Sequence, residues 1–389
     1  AFVETMVATA LPFIWIGVAQ TLKRLRNTGW PPSLVVLFFV PFLNLPFFLL
    51  LCLVPESKNH AQPQDRPSPR FSRFFPASAL GSAAISSLLT VPIGVGITVL
   101  GTQVLAQYGW GLFVALPFAM GAAAAVIYGV REPRTMAGCV GVACLAITLW
   151  GVALLGVAME GAVCLIMAAP IAFPLAALGG ICGFVVQRHR WINAGAPAFI
   201  SLLIVFVPGL QWTEHKAAAP RPVFMVRSAI DIQAPPEKVW KQVIAFSEIP
   251  PPEEWMFRAG IAYPIRAEMI GSGAGAERHC VFSTGAFVEP IQIWNEPRQL
   301  KFSVASNPPP MQEWTPYSQI NPPHLHGFMV SEGGQFLLTP LANGGTRLEG
   351  TTWYRHGLSP ANYWRLWSDE IIHKIHMRVL AHIKEEAEK

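Results

Sequence analysis

The chain has 389 residues, enough for two or three domains. Apolar residues make up 52% and charged residues only 13%, against about 25% charged in an ordinary soluble domain. Residues 1–212 carry 11 Lys/Arg and 5 Asp/Glu, residues 213–389 carry 17 and 18, so the net charge of +5 arises in short loops between apolar runs; this excludes a wholly soluble chain, a disordered chain and a disulfide-stapled secreted domain, and argues against a nucleic-acid binder.

The uncharged runs cover 5–22, 27–55, 74–130, 135–159, 161–187 and 191–213. Crossing about 30 Å of hydrocarbon takes about 20 apolar residues. The run over 74–130 must therefore hold two spans, with Gln107, Tyr108, Gly109 and Trp110 at the turn between them. The expectation is seven helices, near 6–22, 33–54, 82–105, 111–130, 136–158, 161–186 and 195–211. Small residues at 121–125 and at Gly179-Gly180 permit close helix packing. A compact bundle is expected rather than a transport pathway, which would want ionisable side chains inside the spans. Glu160, between two spans, is expected at an interface. A chain that begins at Ala1 inside an apolar run is expected to lack its natural N-terminus.

Lys23, Arg24 and Arg26 end the first expected helix, Thr28-Gly29-Trp30 turns, and Pro31-Pro32 opens the next. Residues 20–55 thereby resemble a small bacterial inner-membrane domain of unknown function, whose basic loop precedes a Gly-Trp and a final helix. Arg26 and Asn27 stand where that pattern has His and Asp. The resemblance implies a bacterial inner membrane and brings no activity. Residues 55–81 form a polar, Pro-rich linker, which favours extended chain. It separates the N-terminal membrane helices (1–54) from a five-helix bundle (82–212). A tether over 213–222 leads to a soluble domain over 223–389.

In the soluble half, strand-like alternation covers 224–233, 277–288, 290–295, 299–305, 326–331, 335–341 and 346–354. Pro235-Pro236 begins a short helix that runs over 238–246. Turns fall at 271–275 and at Asn343-Gly344-Gly345. One long helix closes the chain over 360–387, with Trp364, Trp367, Ile371, Ile375, Val379 and Ile383 at spacings of three and four. Strands flanked by helices on one face make an α+β arrangement.

The opening strand and helix, Ile230-Asp231-Ile232-Gln233-Ala234-Pro235-Pro236-Glu237-Lys238-Val239-Trp240, and the closing strand, Gly344-Gly345-Thr346-Arg347-Leu348 with Thr351-Thr352-Trp353, resemble the helix-grip superfamily. That superfamily (SRPBCC) joins START lipid-transfer domains, polyketide cyclases and Bet v 1-like proteins. The resemblance implies a curved antiparallel sheet around a long C-terminal helix, with a ligand cavity between them. It does not imply one activity, since the family holds binders, transfer proteins and enzymes.

Asp369, His373 and His376 share one helix face, expected to bond to the sheet or line the cavity rather than to hold a metal. His324 and His326, two apart, would point the same way in an extended segment. They end a Pro-rich loop suited to cover a cavity mouth. The expected ligand-binding residues are Trp255, His279, Trp314, His324, His326, Trp353, Tyr354, Trp367 and His373. No catalytic residue, metal or cofactor is expected. The leading expectation is a non-enzymatic, membrane-anchored binder of a lipid or other apolar molecule. The alternatives are a structural or assembly subunit with a membrane-protein partner, and a cyclase- or hydrolase-like enzyme using His and Glu. The excess of Lys/Arg on the opposite side places the C-terminal domain on the non-cytoplasmic side.

Overall fold

The computed structural model describes residues 15, 17–28, 30–39, 47, 51, 54, 75–188, 196–217, 220–317, 320 and 322–389. The chain divides into two compact units, Ala1–Pro76 and Ala77–Lys389.

In the first unit, residues 17–28 are helical and Pro32–Phe39 forms a 3-10 helix. The Trp30 N–H donates to the Leu25 carbonyl and the Leu34 N–H to that of Pro31, at 2.9 and 3.1 Å. Leu25, Phe47 and Leu51 pack together. The Arg24 guanidinium donates to the Leu51 and Val54 carbonyls, each at 2.8 Å.

The second unit begins with helices α1 (Ala79–Val99), α2 (Leu116–Tyr128), α3 (Met136–Gly156), α4 (Ala162–Arg188) and α5 (Ala196–Lys216). A π-helical turn, Leu100–Val104, extends α1, and another, Gly111–Ala115, leads into α2. Among the described residues four helices, not the expected seven, are long and apolar enough to cross a membrane: Ala79–Val104, Gly111–Tyr128, Met136–Gly156 and Ala162–Gln187. The expected spans near 6–22 and 33–54 lie largely outside the described residues. Where the second of them is described, it opens as a 3-10 helix after two prolines that supply no N–H. The seventh falls on α5, whose first described side chain is Ile200 and whose last turns are polar.

Small residues set the bundle's spacing. A Cβ on Gly179 of α4 would overlap the Phe118 carbonyl oxygen of α2, and one on Gly121 would overlap that of Ala176. Backbones that close leave no room for larger residues. Ser86 donates to the Ala124 carbonyl at 2.7 Å, and the Trp150 indole to Thr98 at 3.3 Å. At one end, Arg134 donates to the Ala77 carbonyl and to Ser82 at 2.7 and 3.0 Å. At the other, the Glu214 carboxylate of α5 accepts from the N–H groups of Trp110 and Gly111 at 2.7 and 3.1 Å. That second end carries the turns over 105–110 and 157–161, and the soluble part follows from it.

Seven antiparallel strands form one sheet: β1 (Phe224–Ile232), β2 (Pro264–Ile270), β3 (Glu277–Phe282), β4 (Gly285–Asn295), β5 (Gln299–Ser303), β6 (Met329–Pro340) and β7 (Thr346–His356). Their order is β1-β7-β6-β5-β4-β3-β2. Helices α6 (Pro236–Ile244) and α7 (Trp255–Arg258) follow β1, and α8 (Ala361–Glu388) closes the chain. Leu380 and Ile383 of α8 bury completely against Ile232, Leu300 and Leu348 of the sheet. A curled antiparallel sheet with its first and last strands paired, gripping a long C-terminal helix, is the helix-grip arrangement.

The strand boundaries differ from the sequence expectation in three places. The run 277–288 is a hairpin, β3 and β4, turning at Ser283-Thr284 with Gly285 at φ 142°. The runs 326–331 and 335–341 are one strand, β6, with a register shift between Ser331 and Gly333. Strand β2 was not expected; it lies at the sheet's edge, pairs with β3 and bridges Phe246 through Ala267.

Candidate functional site

Between α8 and the sheet lies a cavity of about 200 Å³. Alternation decides what enters it. On β3, Arg278, Cys280 and Phe282 line the cavity, while His279 and Val281 between them do not. On β4, Phe287 and Glu289 line it. Arg278 and Glu289 are cross-strand partners in register and form an ion pair, both nearly inaccessible to water. The Arg278 guanidinium also stands 5.5 Å from the ring centres of Phe246 and Phe336 and 5.7 Å from that of Phe302. Burial opposes its charge, but the Glu289 carboxylate beside it lifts its pKa above the ordinary value. Burial also raises the Glu289 carboxyl, with Arg278 pulling it back. Burial pushes the Cys280 thiol up to about 12, so it stays protonated and unreactive.

Neutral polar groups complete the lining. Burial lowers His356, and it lowers His376 to about 4 with the neighbouring His373 adding to the effect. Both rings are therefore uncharged near neutral pH. The Thr351 hydroxyl, the His356 Nε2 and the Trp364 indole N–H all line the cavity or its wall and have no hydrogen-bond partner in the protein. Buried polar atoms are rarely left so. They are available to a ligand's polar atoms.

A second cavity of about 300 Å³ lies in the helical bundle, beside α3 and α4. Cys164, His324, Leu358 and Trp364 line both cavities, so the two meet there. The join is polar. Tyr108 donates to Glu160 Oε1 at 3.0 Å. His324 Nδ1 stands 3.4 Å from both the Tyr108 hydroxyl and Glu160 Oε2. His324 Nε2 stands 3.0 Å from Cys164 Sγ and 3.5 Å from Glu313 Oε1. Burial raises the Glu160 carboxyl, opposed by His324 and Tyr108. Donor atoms of Glu160, Cys164 and His324 all lie within 4.8 Å of one another.

Of the residues expected from sequence to bind the ligand, His324 and Trp367 line the cavity between sheet and helix. The others stand elsewhere. Trp255 and Trp314 are 59% and 68% exposed. His279 faces away on β3 and bonds Glu277 at 2.5 Å. Trp353 faces away on β7, with the Lys301 ammonium 5.4 Å over its ring. Tyr354 is fully buried and bonds Ser368 and Asp369 at 2.7 and 2.5 Å. His373 bonds Ser228 at 2.8 Å, and His376 bonds Thr352 at 2.7 Å. The Asp369, His373 and His376 face thus ties α8 to β1 and β7. His324 and His326 do not point the same way: Pro323–Leu325 is a 3-10 turn, which buries His324 and leaves His326 exposed. The Pro-rich loop does reach the cavity, through Pro308, Pro309, Pro310 and Met311. Arg278, Glu289, Glu160 and Glu313 were missed. The available signal was that a buried-face reading of β3 would select Arg278 over His279.

No family model and no curated protein matches the chain. Among solved structures it is similar to the Zhui aromatase/cyclase from Streptomyces sp. R1128, with 14% identity over 43% of this chain and 94% of that one and a TM-score of 0.29. A norcoclaurine synthase point mutant from Thalictrum flavum shows 11% identity over 43% and 96%, at 0.29. A protein from Nitrosospira multiformis shows 17% identity over 42% and 95%, at 0.26. No function transfers at this level of likeness.

Proposed function

We propose that the chain is a membrane-anchored protein of a bacterial inner membrane that binds a lipid or another hydrophobic molecule between sheet and α8, without transforming it. The observation that carries this reading is the meeting of the two cavities at Cys164, His324, Leu358 and Trp364. The bundle cavity is lined in part by Val152 and Ile166, which are 58% and 52% exposed on the outer faces of α3 and α4. An apolar molecule in the bilayer would meet that surface first and pass from it toward the helix-grip cavity. The lining there is mostly apolar with a few orienting polar groups, as small-molecule pockets are.

The helix-grip domain packs on the bundle end whose turns, over 105–110 and 157–161, carry no Lys or Arg. The opposite end carries Arg131, Arg134 and Arg188. Short cytoplasmic loops hold the excess of basic residues, which supports reading the domain as lying on the non-cytoplasmic side.

Titration of the full chain in detergent with a fluorescent fatty acid or sterol tests the binding. Trp367→Ala, in the cavity wall, should weaken it, while Trp353→Ala, facing away, should leave it unchanged. Equal effects of the two, or no binding by the unaltered chain, would defeat the reading.

A further inference from the structure

We propose that the join between the two cavities is a binding site for one divalent transition-metal ion of the zinc class, coordinated by Cys164, His324 and one of the two carboxylates of Glu160 and Glu313, the other orienting the imidazole. The four side chains come from three places in the chain. Glu160 lies in the turn before α4, Cys164 in the first turn of α4, and Glu313 and His324 in the connection between β5 and β6.

The two carboxylates are buried and short of partners. Glu160 and Glu313 are each 7% exposed and His324 is 6% exposed. Glu160 Oε2 and both oxygens of Glu313 accept no hydrogen bond. Among the described residues the positive partner within ion-pair distance of either carboxylate is His324, which carries at most one charge for the two. Buried polar atoms are rarely left without a partner, and metal coordination is one way to supply it.

The donor types and spacings suit the ion. Thiolate, imidazole and carboxylate together favour zinc, whereas calcium and magnesium take oxygen alone. Donors about 2.0–2.3 Å from a tetrahedral ion sit roughly 3.3–3.8 Å from one another. Glu313 Oε1 to Nε2, at 3.5 Å, and Glu160 Oε2 to Nδ1, at 3.4 Å, fall in that range for whichever nitrogen coordinates, and Sγ to Nε2, at 3.0 Å, lies just below it. Imidazole coordinates through one nitrogen. The carboxylate at its other nitrogen then accepts the N–H and fixes the ring, as metal-bound histidines require. One glutamate therefore coordinates and the other orients. The Tyr108 hydroxyl, which donates to Glu160 at 3.0 Å, supports whichever role Glu160 has.

The inference does not depend on the hydrophobic ligand, because its readout is the metal itself. Full-length protein carrying no polyhistidine tag is purified in detergent, and its metal content is measured by elemental analysis as isolated and after removal and return of zinc. One equivalent is expected. Replacement by cobalt(II) should give a thiolate-to-cobalt charge-transfer band, absent in Cys164→Ser. His324→Ala should lose the metal, while His373→Ala, outside the cluster, should keep it. Glu160→Gln and Glu313→Gln should differ, one abolishing stoichiometric binding and the other weakening it about 10–100-fold. If His324→Ala fails to fold, the cobalt spectrum of Cys164→Ser carries the test. Substoichiometric metal even after zinc is returned, or a charge-transfer band that survives Cys164→Ser, would overturn the proposal.

Discussion

Tyr108, in the turn between the first two apolar helices of the second unit, stands edge-on to His324 of the helix-grip domain, with ring centres 5.2 Å apart. The two residues are 216 positions apart in sequence. Their contact lies where the two cavities share lining residues, so the bundle contributes to the candidate site.

Tyr108→Phe keeps the ring and its packing against Phe328, at 5.0 Å between centres. It removes the hydroxyl that donates to the buried Glu160 carboxylate. Leaving a buried acceptor without its donor costs about 1–3 kcal/mol. Thermal unfolding in detergent should show that loss, and Tyr108→Phe combined with Glu160→Gln should recover part of it.

Arg278→Met should destabilise the helix-grip domain by about 3–5 kcal/mol, because it leaves Glu289 buried and unpaired. Arg278→Met with Glu289→Leu should be far closer to the unaltered chain. Denaturant melts of the two variants check this. Equal stability for the single and double variants would show that the ion pair is not a unit.

The pH dependence has a definite sign. Burial lowers His376 to about 4 in the folded state, from an ordinary value of 6.5. Below the unfolded value the unfolded chain therefore binds more protons, so stability falls as pH drops from about 6.5 toward 4. The His376 share of that fall is up to about 3 kcal/mol. His376→Gln should melt with a flatter pH profile in this window than the unaltered chain. Coincident slopes would remove His376 as the cause.

Gly179→Leu should disrupt the bundle, since even a Cβ there overlaps the Phe118 carbonyl. Overpacking of a close contact costs about 1–3 kcal/mol or more. Gly156→Leu, where a Cβ meets nothing within 4 Å, should be tolerated. Detergent gel filtration and thermal melts of the two compare them directly.

Local signals carried much of the fold. The Pro235-Pro236 start and the three-and-four spacing from Trp364 onward placed α6 and α8 within about two residues of their ends, the usual uncertainty of helix boundaries. Strand β2 gave little alternation to read, because Ala267 and Pro264 are its buried positions and neither is a strong apolar marker. Gly333 and Gly334 broke β6 on paper, yet they are small because the strand presses against Phe302 there. The site was less legible than the fold. Choosing His279 over Arg278 is a shift of one residue, which on a strand exchanges the two faces. Glu160 looked interfacial because its partner His324 is remote in sequence, and no local pattern signals a contact between a bundle turn and a loop of another domain.

The measurement closest to the central claim is mass spectrometry of what stays bound to the full chain purified in gentle detergent, compared with Gly350→Phe. A Cβ at Gly350 makes only ordinary contacts, at 3.7 and 3.8 Å, with Phe336 and Leu380. The larger ring would then occupy the cavity that Gly350 lines. The account predicts one hydrophobic molecule per chain in the unaltered protein, and its loss in a folded Gly350→Phe. Retention of the same molecule by Gly350→Phe, or a bare chain that holds a stable protein partner instead, would contradict it.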